Sequence, residues 1–243
     1  MRIVTFLILV ILWSSVTLHA GEYNGPYSKR NINIGLLIGL NVARLSTDHP
    51  FPYDKTKLGS IIGSIIEIPI NRHLSLQSGI QYTQSGGNSN KFIITGEDFQ
   101  IIGKFWYTYC LNYFEFPLQI KLNRTYNFAD IFIVTGTRMG LLESSYQKYR
   151  TDYDDIKLPD KNLNSVINKY NITFDIGCGI SRRISKSMSI GFNILYSYGL
   201  TDQYTQPIKM GYKTNDGEWT ENIDVYQKMR DLRFHIKITY SLS

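Results

Sequence analysis

Residues 232–242 read Leu232-Arg233-Phe234-His235-Ile236-Lys237-Ile238-Thr239-Tyr240-Ser241-Leu242, with an apolar side chain at every even position and a polar one at every odd position. A period of two sends alternate side chains to opposite faces of a β-sheet, so this stretch predicts a strand with one apolar and one polar face. The same alternation recurs upstream. Met188, Ile190, Phe192, Ile194, Tyr196 and Tyr198 are interleaved with Ser189 to Gly199, and Ile172, Phe174, Ile176, Cys178 and Ile180 with Thr173, Asp175, Gly177, Gly179 and Ser181. Leu74, Leu76, Ile80 and Tyr82 oppose Ser75, Gln77, Gly79 and Gln81, and Ile32 to Leu40 oppose Asn33, Gly35, Gly39 and Asn41. Three further segments complete a set of eight: Leu58 to Ile70, where Glu67 and Pro69 mark the polar side; Phe105 to Leu122; and Ile131 to Leu142, whose parity is ambiguous.

The links between these segments sort into two kinds. Asn71 to His73, Arg124 to Asn127 and Ser185 to Ser187 are tight, whereas Ser46 to Thr56, Ser85 to Lys104, Tyr146 to Lys169 and Thr201 to Lys228 are long and polar. Short and long alternate along the chain. An even strand count with one rim of short turns and one of long loops predicts an all-β fold, an eight-stranded antiparallel up-and-down transmembrane β-barrel. The turns and both mature termini are then periplasmic and the loops extracellular. A soluble ligand-carrying barrel also alternates, with its apolar side turned inward. The polar face here is mostly Gly, Ser, Asn, Thr and Gln, which suits a crowded lumen better than a solvated surface rich in Lys and Glu. Its charges include both signs: Glu67, Glu115 and Asp175 against Lys121, Arg233 and Lys237, with His235 on the same side and Arg138 of unsettled parity. An eight-stranded interior is just wide enough to be filled by side chains, so these residues are expected to interlock there as ion pairs and hydrogen bonds. Tyr23, Tyr27, Trp106, Tyr107, Tyr109, Tyr113, Tyr196 and Tyr198 fall near strand ends, where interfacial girdles form.

Composition agrees with one folded unit. The chain has 243 residues with 43% hydrophobic and 19% charged content, too apolar for a disordered chain. Its net charge of +6 comes with no basic run able to track a nucleic-acid backbone. Met1-Arg2, the apolar run Ile3 to Trp13 and the ending Leu18-His19-Ala20 have the pattern of a secretory signal, giving residues 1–20 as leader and 21–243 as the barrel domain. That run falls short of the about 20 residues a membrane-spanning helix needs.

Little in the chain resembles catalytic machinery. Two cysteines exclude a disulfide scaffold and a four-thiolate zinc site. Cys110 and Cys178 fall on the fourth and sixth strands, about 9.6 Å apart, beyond disulfide reach; both are expected as free thiols. His19 leaves with the signal, His49 lies in a long loop, His73 in a short turn and His235 in the lumen, so they do not converge. Asp152, Asp154 and Asp155 form a weak candidate for a hard cation, but their spacing lacks the glycine turn and closing Glu of a calcium loop. No metal, cofactor or enzymatic activity is expected. The expected function is a binding or scaffold role exerted through the loops or the periplasmic rim. A narrow porin-like channel or transport component is the alternative, and a lipid-modifying enzyme the least favoured. Expected partners are outer-membrane lipid and lipopolysaccharide, with an extracellular ligand.

Five segments in order, Gly35 to Asn41, Ile66-Glu67-Ile68-Pro69-Ile70, Leu74 to Tyr82, Leu111 to Leu118 and Tyr196 to Leu200, resemble the landmarks of the PorT-like outer-membrane β-barrel proteins of Bacteroidetes. The resemblance spans nearly the whole mature chain. It implies an eight-stranded barrel of the bacterial outer membrane, often called a porin-family protein, and for PorT-type members a part in protein secretion, with secretion machinery as a partner. Glu67 to Pro69 and Glu115 to Pro117 each set a carboxylate and a proline on the lumen side. They are read as part of an ion-paired interior in preference to a proton relay, because basic residues share that face.

Overall fold

A computed structural model of the chain describes residues 32–47, 55–71, 73–95, 101–126, 128–152, 159–205, 208–210, 223–225 and 227–242. The signal segment, Tyr23, Tyr27, His49, Asp154 and Asp155 lie outside the described residues. Eight strands run in order: β1 (Asn33–Thr47), β2 (Lys57–Pro69), β3 (Leu74–Asn88), β4 (Ile101–Thr125), β5 (Asp130–Thr151), β6 (Tyr170–Arg183), β7 (Met188–Gly199) and β8 (Gln227–Ser241). Each pairs antiparallel with its sequence neighbour, and β1 pairs with β8 from Asn33↔Ser241 to Thr47↔Gln227, which closes the ring. The fold is an all-β, eight-stranded, antiparallel up-and-down barrel.

The tight turns are made by side chains suited to them. Asn71 Oδ1 accepts hydrogen bonds from the backbone N–H of His73 at 2.8 Å and Leu74 at 2.9 Å, and Ser185 Oγ from that of Met188 at 3.1 Å. At the opposite rim β4 and β5 run on far past their neighbours. They absorb parts of Ser85 to Lys104 and Tyr146 to Lys169 that the sequence reads as loop, because Phe105 to Tyr113 continue the period-two pattern with aromatic residues. A bulge sits midway. Tyr113 pairs with Leu142 and Asn112 with Ser144, so Glu143 is extra and the inward row of β5 changes from even to odd numbers. Short strands Phe92–Thr95 and Lys161–Asn162 add to β4 and β5 beyond the ring, and Ile208–Met210 pairs with Ile223–Val225.

The apolar side of every strand is outside. Leu36 is 70% exposed and Leu58, Ile62, Ile80, Phe116, Ile133, Ile176, Phe192 and Ile238 are likewise uncovered, while Glu115, Arg233 and Asp175 inside have no exposure. Along β6 and β8 the greasy face runs from Tyr170 to Ile180 and from Leu232 to Tyr240, about nine to eleven residues, which is the length of a tilted membrane-spanning strand. The wall is thin and its interior crowded. Gly179 shows how this is managed: a Cβ there would lie 2.4 Å from Phe132 Cζ, so the missing side chain is the space the Phe132 ring fills.

Candidate functional site

The interior has three levels. At mid-height Glu115 of β4, fully buried, takes hydrogen bonds from Arg233 Nη1 at 2.7 Å and Nη2 at 2.9 Å, from Thr83 Oγ1 at 2.6 Å and from Gln81 Nε2 at 2.8 Å. Arg233 also reaches Asp231 at 2.9 Å. Arg138 joins Asp175 at 3.0 Å, donates to Thr173 Oγ1 at 2.9 Å and stands 3.5 Å from Glu115; Gln119 Nε2 donates to Asp175 at 2.8 Å. Bidentate pairing of this kind gives the strongest side-chain hydrogen bonds. Arg138, Arg233 and Glu115 are 2% exposed or less, so side chains fill the lumen at this level.

Toward the short turns Lys121 Nζ holds both oxygens of Glu67, at 2.9 and 3.0 Å, and lies over the Phe132 ring at 4.5 Å. Gln77 bridges the group, donating to Glu67 at 3.0 Å and accepting from Lys237 Nζ at 3.3 Å. Below this floor opens a cavity of about 630 Å³, bounded by the three short turns and the ends of the strands. The lumen is thus filled at its middle but hollow at this end, a departure from the uniformly plugged cylinder the sequence suggests.

Toward the long loops the interior turns apolar. Tyr107, Tyr109, Leu111 and Tyr113 of β4 pack with Leu45, Met229, Leu163 and Ile167, and Phe92 stacks on Phe105 at 4.9 Å. Leu163 and Ile167 come from the segment after β5, which folds over the mouth. Leu163 N–H bonds to Ser145 O, Asn168 N–H to Gln203 O, and Asn164 Oδ1 accepts from the Ser145 N–H and hydroxyl. Tyr113 donates its hydroxyl to Gln203 at 2.9 Å. Tyr107, Tyr109 and Tyr113 are therefore not girdle residues, as their positions near strand ends suggest, but the inside of the stopper. They share the odd parity of Glu115, which turns them inward. Tyr196 and Tyr198 are outward and exposed, the latter under Arg230 at 5.5 Å.

Glu67, Glu115, Lys121, Asp175, Arg233, His235 and Lys237 all project into the lumen. His235 makes no ion pair; it is buried with neither ring nitrogen hydrogen-bonded, its ring set against Gly39, where a Cβ would come within 2.8 Å of Cδ2. Two members of the ionic network were not assigned from sequence. Asp231 precedes the obvious alternation of β8, and Arg138 lies on a strand whose inward row before the bulge, Phe132, Val134, Gly136, Gly140 and Leu142, is otherwise without polar side chains. Asp152 lies outside the lumen and accepts the backbone N–H of Lys104. Cys110 and Cys178 are free, separated by β5. Among the described residues no group of His, Cys, Asp or Glu is arranged to hold a metal ion.

The outer membrane protein beta-barrel domain model matches residues 21–204. The chain belongs to this outer-membrane β-barrel family. No curated protein gives a significant match. Among solved structures this family member is similar to the attachment invasion locus protein Ail of Yersinia pestis, at 10% identity over 87% of this chain and 99% of that one with a TM-score of 0.40. It is also similar to Neisserial surface protein A, at 9% identity over 84% and 95% with a TM-score of 0.38. OprG of Pseudomonas aeruginosa gives 6% identity over 89% and 97% with a TM-score of 0.37. Likeness at this level bears on neither ligand nor activity.

Proposed function

We propose that this protein is a non-conducting barrel that works through its two ends as a binding or scaffold element. Its long loops face outward, its short turns and both chain ends face the periplasm, and its apolar wall touches outer-membrane lipid and lipopolysaccharide. The observation that carries this reading is the buried Glu115–Arg233–Arg138–Asp175 network lying beneath the Tyr113–Leu163–Ile167 stopper: two successive layers of side chains fill the lumen among the described residues. Refolded chain in a planar bilayer is expected to stay silent, and stable single-channel steps refute the proposal. Sidedness is tested separately. In a Cys110→Ser/Cys178→Ser background, Ser185→Cys is expected to resist an impermeant maleimide on intact cells while Asp160→Cys reacts. Partners of the secretion-machine class, which the PorT-like resemblance implies, would meet the short-turn rim, and crosslinking there in native membranes identifies them.

A further inference from the structure

Among the described residues, the hollow at the short-turn end carries more positive than negative charge. Its lining includes five cations, Lys121, Arg182, Arg183, Lys186 and Lys237, but only two carboxylates, Glu67 and Asp130. Glu67 is committed to Lys121 through both oxygens. Lys237, 6% exposed, makes one hydrogen bond among the described residues, at 3.3 Å to the neutral amide oxygen of Gln77. An ammonium taken out of water and given an amide but no carboxylate is short of the partners that make a buried charge tolerable. Arg182, Arg183 and Lys186 stand on and beside the exposed β6–β7 turn, so the excess positive charge runs from floor to rim. The Ser189 and Thr239 hydroxyls, hydrogen-bonded to each other at 2.6 Å, leave one neutral O–H donor on the wall just below Lys237. A cavity of about 630 Å³ is within the range that encloses a small organic ligand.

We propose that this vestibule binds a small multivalent oxyanion, phosphate- or polycarboxylate-bearing, with the Lys237 ammonium as its inner contact and Arg183 and Lys186 gripping it at the rim. The inference adds a ligand class to the binding role proposed above. It rests on that reading for the side of the membrane from which the ligand arrives, while the binding itself needs no sidedness.

Calorimetric titration of the refolded mature chain in zwitterionic micelles at low ionic strength tests it, with pyrophosphate in one arm and citrate in the other. Saturable binding is expected in at least one arm, and which arm gives it identifies the anion's chemistry. Lys237→Met is expected to weaken it by about tenfold or more, the loss that follows removal of a charge-assisted hydrogen bond. The double change Arg183→Gln/Lys186→Gln, at the exposed turn and its edge where the barrel's folding does not depend on it, is expected to weaken it as well. Arg230→Gln at the far rim is expected to leave it unchanged. Absence of saturable heat in both arms, or an affinity that neither Lys237→Met nor the turn variant lowers, overturns the proposal. Because micelles carry no current, either result is independent of the bilayer recording that tests conduction.

Discussion

Replacing Arg233 by Met should cost more stability than replacing Glu115 by Gln, although the two residues form one ion pair. The mid-height group contains three carboxylates, Glu115, Asp175 and Asp231, and two guanidiniums, Arg138 and Arg233. Arg233→Met removes hydrogen bonds of 2.7, 2.9 and 2.9 Å and leaves three buried acids around one guanidinium. Breaking a buried pair by deleting one partner costs about 3–5 kcal/mol. Glu115→Gln changes three acids against two guanidiniums into two against two and keeps one acceptor oxygen toward Arg233, but its NH2 turns a donor toward the other Arg233 N–H, so its cost is the lost and weakened hydrogen bonds there, about 1–3 kcal/mol. Urea unfolding of the refolded chain in phospholipid vesicles, followed by tryptophan fluorescence, measures both. The double variant should fall short of the sum of the single changes by about 1 kcal/mol or more, because the residues share contacts. If Glu115→Gln proves as damaging as Arg233→Met, local charge balance is not what holds the middle of the barrel.

Other outcomes follow from the wall and the stopper. Ile236→Arg, at the middle of the greasy face of β8, should destabilise by about 2–4 kcal/mol, and Leu242→Arg at its edge by about 0–1 kcal/mol, in the same vesicle assay; equal costs would mean the outward face does not meet acyl chains. Gly179→Val, which must displace the Phe132 ring or the Asn193 Cβ 2.6 Å away, should cost about 1–3 kcal/mol by the same measurement. Leu163→Ala with Ile167→Ala should free the segment over the long-loop mouth and speed proteolytic nicking within 159–169 by about tenfold or more while the barrel itself stays resistant. Unchanged nicking would show that these two side chains do not anchor it.

The wall was legible because lipid imposes a strict rule on it: a strand such as β8 must be apolar at every second position. That rule alone places Glu67, Glu115, Lys121, Asp175, Arg233, His235 and Lys237 on a common face. It fails where the wall leaves the membrane. In the sequence the long loop ends at Lys228 and the alternation begins at Leu232, yet Met229 and Asp231 hold inward positions on β8, one in the stopper and one against Arg233. Arg138 was obscured by its own strand, where Phe132 and Val134 face inward and Thr135 and Thr137 do not, the reverse of the expected amphipathy. Its place is fixed by the charges opposite, Glu115 and Asp175, which belong to strands more than twenty residues away in sequence on either side. The bulge at Glu143 has no local signature, since it answers a mismatch between β4 and β5. The hollow below Lys237 is equally hidden from a linear reading, because it arises where inward side chains from several strand ends fail to meet.

On the proposed reading, a lumen stoppered at one mouth and hollow at the other is a blind alley. A guest that enters must back out along the path it came by, so occupancy is governed by how long the guest dwells, and a gradient across the membrane does no work on it. Such a shape is suited to holding and presenting a molecule, and to reporting its presence to whatever touches the rim.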